Sequence, residues 1–371
     1  MNPKAHLLQI ILSTFLAFCI ISFFFSGDKK FENLALGTET VTYQAKDKFN
    51  NFIHIFRIDE QEESSFLNAW KDRGKKKVIF FLGNSQTHSI NQKKEDDINM
   101  IELLHDTLNS FNVDVLCHSF PNASMQEFYL SFKYWQRKLP IKTLIIPLFF
   151  DDFREDGIKD VFFEKLVNSK FVLDDNSNLV NQKINTNLKS YWGSKVNLHT
   201  AETSKSTIQE RVEKSINNYL ENNIVTWNQR ENVRGDFFVW IYKLRNTIFG
   251  IKAQSIRKMI PLRFEYNMDA LKLILADAKK NNVKIILYIP PIRKDVNLPY
   301  EKVDYQIFKE DIMNLKSHNC MVLDFDDIIP GKLWGYKEAT NLLEKREVDY
   351  MHFQFKGHQI LADSLFQYIK E

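Results

Sequence analysis

Short unbroken apolar runs alternate along this chain with stretches whose apolar residues recur every three or four positions. Lys77–Leu82 (KVIFFL), Val113–Cys117, Leu144–Phe150, Val283–Ile289 and Met321–Phe325 are runs of the first kind. Runs of this length fit strands buried on both faces. Between them, Ile98, Ile101, Leu104 and Leu108 mark one face of a helix, as do Met125, Phe128, Phe132 and Trp135. Leu271, Ile274, Leu275 and Ala278 mark another. A helix is expected around Val303–Leu315, and a last one from about Gly357 to Ile369. Strands alternating with helices predict an α/β fold, a three-layer sandwich around a parallel sheet.

Two regions break the rhythm. Residues 28–74 are polar and mixed, with short apolar runs such as Phe52–Phe56, and read as a stem. Residues from about 157 to 262 are rich in Lys, Asn and Glu and read as a mainly helical insertion, with a loop near Asn181–Thr203. The insertion carries Trp192, Trp227 and Trp240, expected as buried anchors, with sugar binding as the alternative.

Leu7–Phe25 reads LLQIILSTFLAFCIISFFF, nineteen residues without a charge. About 20 such residues cross a bilayer as a helix. A cleaved signal peptide fits less well, because no small-x-small site follows Phe23-Phe24-Phe25. Residues 1–27 are therefore expected to be a single-pass membrane anchor, and 75–371 the α/β domain. Lysines flank the stretch on both sides, so charge bias does not fix its orientation.

Composition narrows the function classes. With 50 Lys and Arg against 47 Asp and Glu, the formal net charge is +3, and no basic patch points to nucleic acid. Of the three cysteines, Cys117 and Cys320 are expected as small buried thiols, a disulfide between them being the alternative. No Cys/His cluster has metal-ligand spacing and there is no P-loop, so neither metal nor cofactor is expected.

In a parallel α/β sheet, active residues gather beyond the carboxyl ends of the strands. Ser85 follows the first run, Asn122 the second, and Asp151 and Asp152 the third. A serine hydroxyl needs a base to take its proton and donors to stabilise the oxyanion. The candidate base is His352. Asp349, three residues earlier on what reads as a loop, would orient its ring.

FLGNSQ after the first run, and DYMHFQFKGHQILADSL near the C-terminus, resemble the first and last sequence blocks of SGNH hydrolases, the GDSL-like esterases. The resemblance implies Ser85 as nucleophile with Asp349 and His352 as partners. It places Asn84 where the family often has Asp. It places Asn122 at the second block's oxyanion glycine, and Asp151 at the third block's Asn donor. Asn tolerates left-handed backbone, so an N–H at 122 can still serve, whereas an ionised Asp151 cannot donate. Asn84 or Asn122 would then supply the second donor. Asp151 and Asp152 read equally well as pocket residues or as an ion pair with Arg154. His88 reads as a pocket or turn residue and His358 as a surface or packing residue. Tyr288-Ile289-Pro290-Pro291 reads as a loop-shaping segment.

The departures are similar to the anchored cell-envelope branch of that family, in layout to the D-alanine transfer protein of teichoic acid synthesis and to polysaccharide O-acetylation proteins. This resemblance implies an extracytoplasmic enzyme acting on acyl groups of an envelope glycan or polymer, beside a membrane-bound O-acyltransferase. The competing reading is an accessory protein that keeps the fold and binds the polymer or the acyltransferase without catalysis.

Overall fold

A computed structural model describes residues 39–56, 60–74, 77–155, 157–158, 173, 178–186, 188–189 and 230–370. The apolar stretch Leu7–Phe25 lies outside them, as do Trp192 and Trp227. Among the described residues no helix is long and apolar enough to cross a membrane.

The five apolar runs form strands of one sheet. They are β3 (Lys77–Gly83), β5 (Val113–Ser119), β6 (Ile141–Pro147), β7 (Lys284–Ile289) and β8 (Cys320–Asp324). A two-residue strand, β2 (His54–Ile55), pairs with β5 and makes the sheet six-stranded, in the order β2-β5-β3-β6-β7-β8. Every pairing is parallel. Phe80 in β3 lies opposite Leu116 of β5 and Leu144 of β6, and all three are fully buried. Two short pairs stand apart from this sheet. β1 (Thr40–Thr42) runs antiparallel to β4 (Ser89–Asn91), and β9 (Trp334–Glu338) pairs with β10 (Arg346–Phe353).

The strand order fixes where the helices go. From β3 the chain steps one way to β5, then reverses to β6, β7 and β8. Right-handed crossovers put connections of opposite direction on opposite faces. Helix α3 (Met100–Asn109) therefore covers one face, and α4 (Met125–Trp135), α6 (Pro261–Lys280) and α7 (Lys302–Met313) the other. The observed packing agrees: α3 lies on β5 and against the C-terminal helix α8 (Phe355–Ile369), while α4 packs on α6. The reversal happens at β3, so the crevice beyond its carboxyl end is the expected ligand position.

Several expectations need correction. Of the expected stem 28–74, residues 28–38 lie outside the described residues, and the described residues 39–56 and 60–74 are not a stem. They supply β1, the edge strand β2 and helix α1 (Glu60–Asp72), whose Phe66 is buried in the core. The third strand ends at Pro147 rather than Phe150. Leu148 donates once more to Tyr288 O, and the chain then turns, packing Phe150 against Tyr300 and Phe308. Residues 181–186 are helical rather than looped.

Within the insertion, α5 (Arg230–Ile248) belongs to a second compact unit, whose described residues are 230–252 and 337–347. There Asn246 Nδ2 donates to Thr340 O, and Lys243 and Lys252 pair with Glu338 and Glu344. Trp240 is no buried anchor: it is exposed on α5, with Phe237, Ile241 and Ile248. Cys117 and Cys320 are both buried free thiols.

Candidate active site

Ser85 stands directly beyond the carboxyl end of β3, at the reversal. Gly83 and Asn84 set it there. A Cβ at Gly83 would collide with the Thr87 side chain, so a bare residue is needed for the chain to fold back after the strand. Asn84 then caps the one-turn helix α2 (Ser85–His88), its Oδ1 accepting from Gln86 N at 3.1 Å. Ser85 is the first helical residue, so its own N–H has no intrahelical acceptor.

Asp349 and His352 lie in β10, not on a loop. In a regular strand, residues three apart point to opposite faces. Here Asp349 Oδ1 accepts from Met351 N at 2.9 Å and from His352 N at 3.0 Å. These two bonds curl the backbone and bring both side chains to one side. His352 Nδ1 then lies 2.9 Å from Asp349 Oδ2, and His352 Nε2 lies 3.0 Å from Ser85 Oγ. Burial alone would raise the Asp349 carboxyl. The His352 ring and the N–H groups of Met351 and His352 outweigh that and bring it down to about 2. An ionised Asp349 accepts only, so Nδ1 carries the ring proton and Nε2 presents its lone pair to Ser85 Oγ–H.

Asn91 supports Asp349 from β4, its Nδ2 donating to Asp349 Oδ2 at 3.4 Å and to Tyr336 O at 2.9 Å. Gly335 makes room for it, since a Cβ there would overlap the Asn91 amide. Nothing in the sequence reading singled out Asn91. A glycine within a strand marks a close approach, and Gly335 was that signal.

Asn122 has φ +52°, in the left-handed region that the glycine comparison requires. The capping box of α4 fixes its loop: Ser124 Oγ accepts from Glu127 N, and the Glu127 carboxylate accepts from Ser124 N.

The two third-block carboxylates part company. Asp151, expected at the Asn donor position, accepts from Arg154 Nη1 at 3.2 Å, from Tyr300 Oη at 2.9 Å and from Arg257. Both its oxygens are engaged by this cluster, so the ion pair with Arg154 includes Asp151 only. Asp152 is buried at 3% exposure and accepts from Asn84 Nδ2 at 3.3 Å. Burial, then the neighbouring Asp151 carboxylate, push its carboxyl well above the usual range. Asn84 thus aims its amide at Asp152.

The remaining candidates brace the site from beneath. His54 Nδ1 accepts from Ala45 N at 3.4 Å, so its Nε2–H donates to Ser119 Oγ at 2.6 Å. Ser119 in turn donates to His88 Nδ1 at 2.5 Å. His88 therefore anchors the far end of α2 rather than lining a pocket. His358 is buried between α3 and β4, accepting from Met100 N and donating to Ser89 O. Pro291 O accepts from the Gln86 side chain. Among the described residues no group of three or more His, Cys, Asp and Glu is placed to hold a metal ion.

A six-stranded parallel α/β domain with a hydrogen-bonded serine, histidine and aspartate at its switch point is the class that fold and site define. No family model and no curated protein matches the chain. Among solved structures it aligns with a family two carbohydrate esterase from Clostridium thermocellum in complex with cellohexaose, at 10% identity and a TM-score of 0.34. That alignment covers 80% of this chain and 64% of the esterase. It also aligns with a GDSL-like lipase from Bacteroides thetaiotaomicron, at 12% identity and a TM-score of 0.34, covering 84% and 96% of the two chains. A putative acylhydrolase from Bacteroides fragilis gives 12%, 0.34, 84% and 97%. The site therefore rests on this chain's own geometry.

Proposed function

We propose that the chain is a membrane-anchored serine esterase or acyltransferase of the SGNH type, acting on acyl groups of a cell-envelope glycan or polymer through a seryl ester. The hydrogen-bonded series Ser85 Oγ, His352 Nε2, His352 Nδ1 and Asp349 Oδ2 carries this reading. In the first half-reaction Ser85 Oγ attacks the acyl carbonyl as its proton passes to His352 Nε2. Asp349 stabilises the imidazolium. This reading assigns the oxyanion to the backbone N–H groups of Ser85 and Asn122. Collapse of the tetrahedral intermediate breaks the bond to the polymer oxygen, which leaves with the proton from His352. In the second half, water or another hydroxyl attacks the seryl ester, His352 taking its proton and returning it to Ser85. Water gives hydrolysis, and a glycan hydroxyl gives transfer. The uncharged stretch Leu7–Phe25 supports the anchor. The resemblance to the anchored cell-envelope branch, rather than the anchor itself, supports a domain outside the cytoplasm, beside a membrane-bound O-acyltransferase.

The experiment is labelling of the full chain in isolated membranes with a fluorophosphonate. We expect covalent modification at Ser85, its loss in Ser85→Ala, and retention of the labelled chain in the pellet after alkaline carbonate washing. Equal labelling of wild type and Ser85→Ala would sink the nucleophile, and release by carbonate would sink the anchor. The engagement of Asp151 by Arg154, Arg257 and Tyr300 favours a second reading, a catalytically impaired accessory protein that binds the polymer or the acyltransferase. A folded wild-type chain that takes no label supports it.

A further inference from the structure

A single turn of helix does not hold its own position, because nucleation fixes several dihedrals for one hydrogen bond. Helix α2 is four residues long and carries the nucleophile. Its placement against His352 has to come from outside the turn. Asn84 ties its start to Asp152, and His88 ties its end to Ser119. Neither tie reaches the strand that carries His352.

Gln86 does. It follows Ser85 directly and is 2% exposed. Its Nε2 donates to Pro291 O at 2.8 Å and to Met351 O at 2.7 Å. Met351 directly precedes His352. One primary amide has two protons, and both are used, one on the segment after β7 and one on β10. Gln86 thus joins the residue after the nucleophile to the residue before the base. The two are separated by 265 positions in the chain. Among the described residues no backbone hydrogen bond joins α2 to β10.

We propose that Gln86 is a positioning residue that clamps Ser85 to His352 through the carbonyl of Met351. The inference rests on the proposed function, since what it positions is the nucleophile for proton transfer. A misplacement of about 1 Å in such a constellation costs about a hundredfold in rate.

The test compares Gln86→Met, which keeps length and volume but removes both donors, with wild type and Ser85→Ala. Fluorophosphonate labelling rates are normalised to the folded fraction by circular dichroism, and kcat and KM are measured on a chromogenic acetate ester. We expect labelling and kcat to fall about 10- to 100-fold, with KM within twofold. A role confined to holding the fold would lower the melting temperature and leave the normalised labelling rate alone. A Gln86→Met rate within twofold of wild type overturns the proposal. If Gln86→Met does not fold, Gln86→Glu, of the same length but with acceptors facing the two carbonyls, is read by the same criteria. Failure of both to fold overturns a positioning role in favour of a structural one. A folded wild type that takes no label sinks the proposed function, and the clamp with it. A labelled wild type with an unaffected Gln86→Met sinks the clamp alone.

Discussion

The base side of the site and the nucleophile side are built in opposite ways. Asp349 and His352 are set chiefly by contacts within four residues, where one carboxylate oxygen takes two backbone N–H groups and both oxygens meet the ring, with the longer bond from Asn91 added from β4. Ser85 rides on one turn of helix held from four remote places, by Asp152, Pro291, Met351 and Ser119. A local motif carries its geometry with it. A remotely braced turn depends on the whole fold being in place. The base side should therefore fail through chemistry when altered, and the nucleophile side through position.

The largest effect should come from the local side. Asp349→Asn keeps the shape but lets the amide donate towards Nδ1, which favours the ring tautomer with its proton on Nε2. That tautomer cannot accept from Ser85. We expect kcat to fall by about 10²–10⁴-fold, with the fold retained. A drop below tenfold would mean that Asp349 only supports the backbone of β10, and the contrast between the two sides would collapse.

This contrast also explains what the chain disclosed before its structure. The Asp-x-x-His spacing was readable because its geometry is local, although its place in a strand was not, since the curl depends on Asp349 accepting from the backbone. β3, β5, β7 and β8 were readable within a few residues because strands buried on both faces show as continuous apolar runs. β2 was missed because two residues, His54 and Ile55, make no pattern. Helix α1 was missed because EQEESSFLNAWKD offers few apolar positions, of which Phe66 reaches the core. Gln86, Asn91 and the pairing of Asn84 with Asp152 could not be read at all. Each joins segments far apart in sequence, and a lone amide has no periodicity. The third block misled for a related reason. Position 151 was the natural place for an Asn-like donor, but Arg257 and Tyr300, more than a hundred residues later, draw that carboxylate into their own cluster.

Acid separates the two sides with an effect of intermediate size. His54 and His118 are lowered by burial to about 3, His88 well below its usual value, and His358 to about 3. The folded state keeps these rings neutral, whereas the unfolded chain protonates them below about 6.5. Their contribution is therefore complete above about pH 6.5 and is lost as pH falls towards 3, on the order of 1–2 kcal/mol per ring by pH 5. Asp349 works in a lower window: its stabilisation is complete above 3.8 and is lost as pH falls through about 2. The bracing of α2, which runs through His88, Ser119 and His54, should give way first. We expect the melting temperature to fall steadily from pH 7 to pH 4. A flat profile between pH 7 and pH 5 would show that these histidines titrate in the folded protein.

The smallest effect is expected at Asn122, which belongs to neither side. Its φ of +52° costs a residue with a Cβ, and Asn bears that cost better than most. If the loop serves through its backbone N–H, glycine should serve as well. Asn122→Gly should then change stability by no more than about 1 kcal/mol and leave the labelling rate within about threefold. Asn122→Val should lose about 1–2 kcal/mol, because a β-branched residue resists this region. A tenfold slower Asn122→Gly with an unchanged melting temperature would assign the role to the Asn side chain instead. The donor that Asp151 cannot provide would then come from the second loop's amide, and the oxyanion would be held from the α4 side of the crevice.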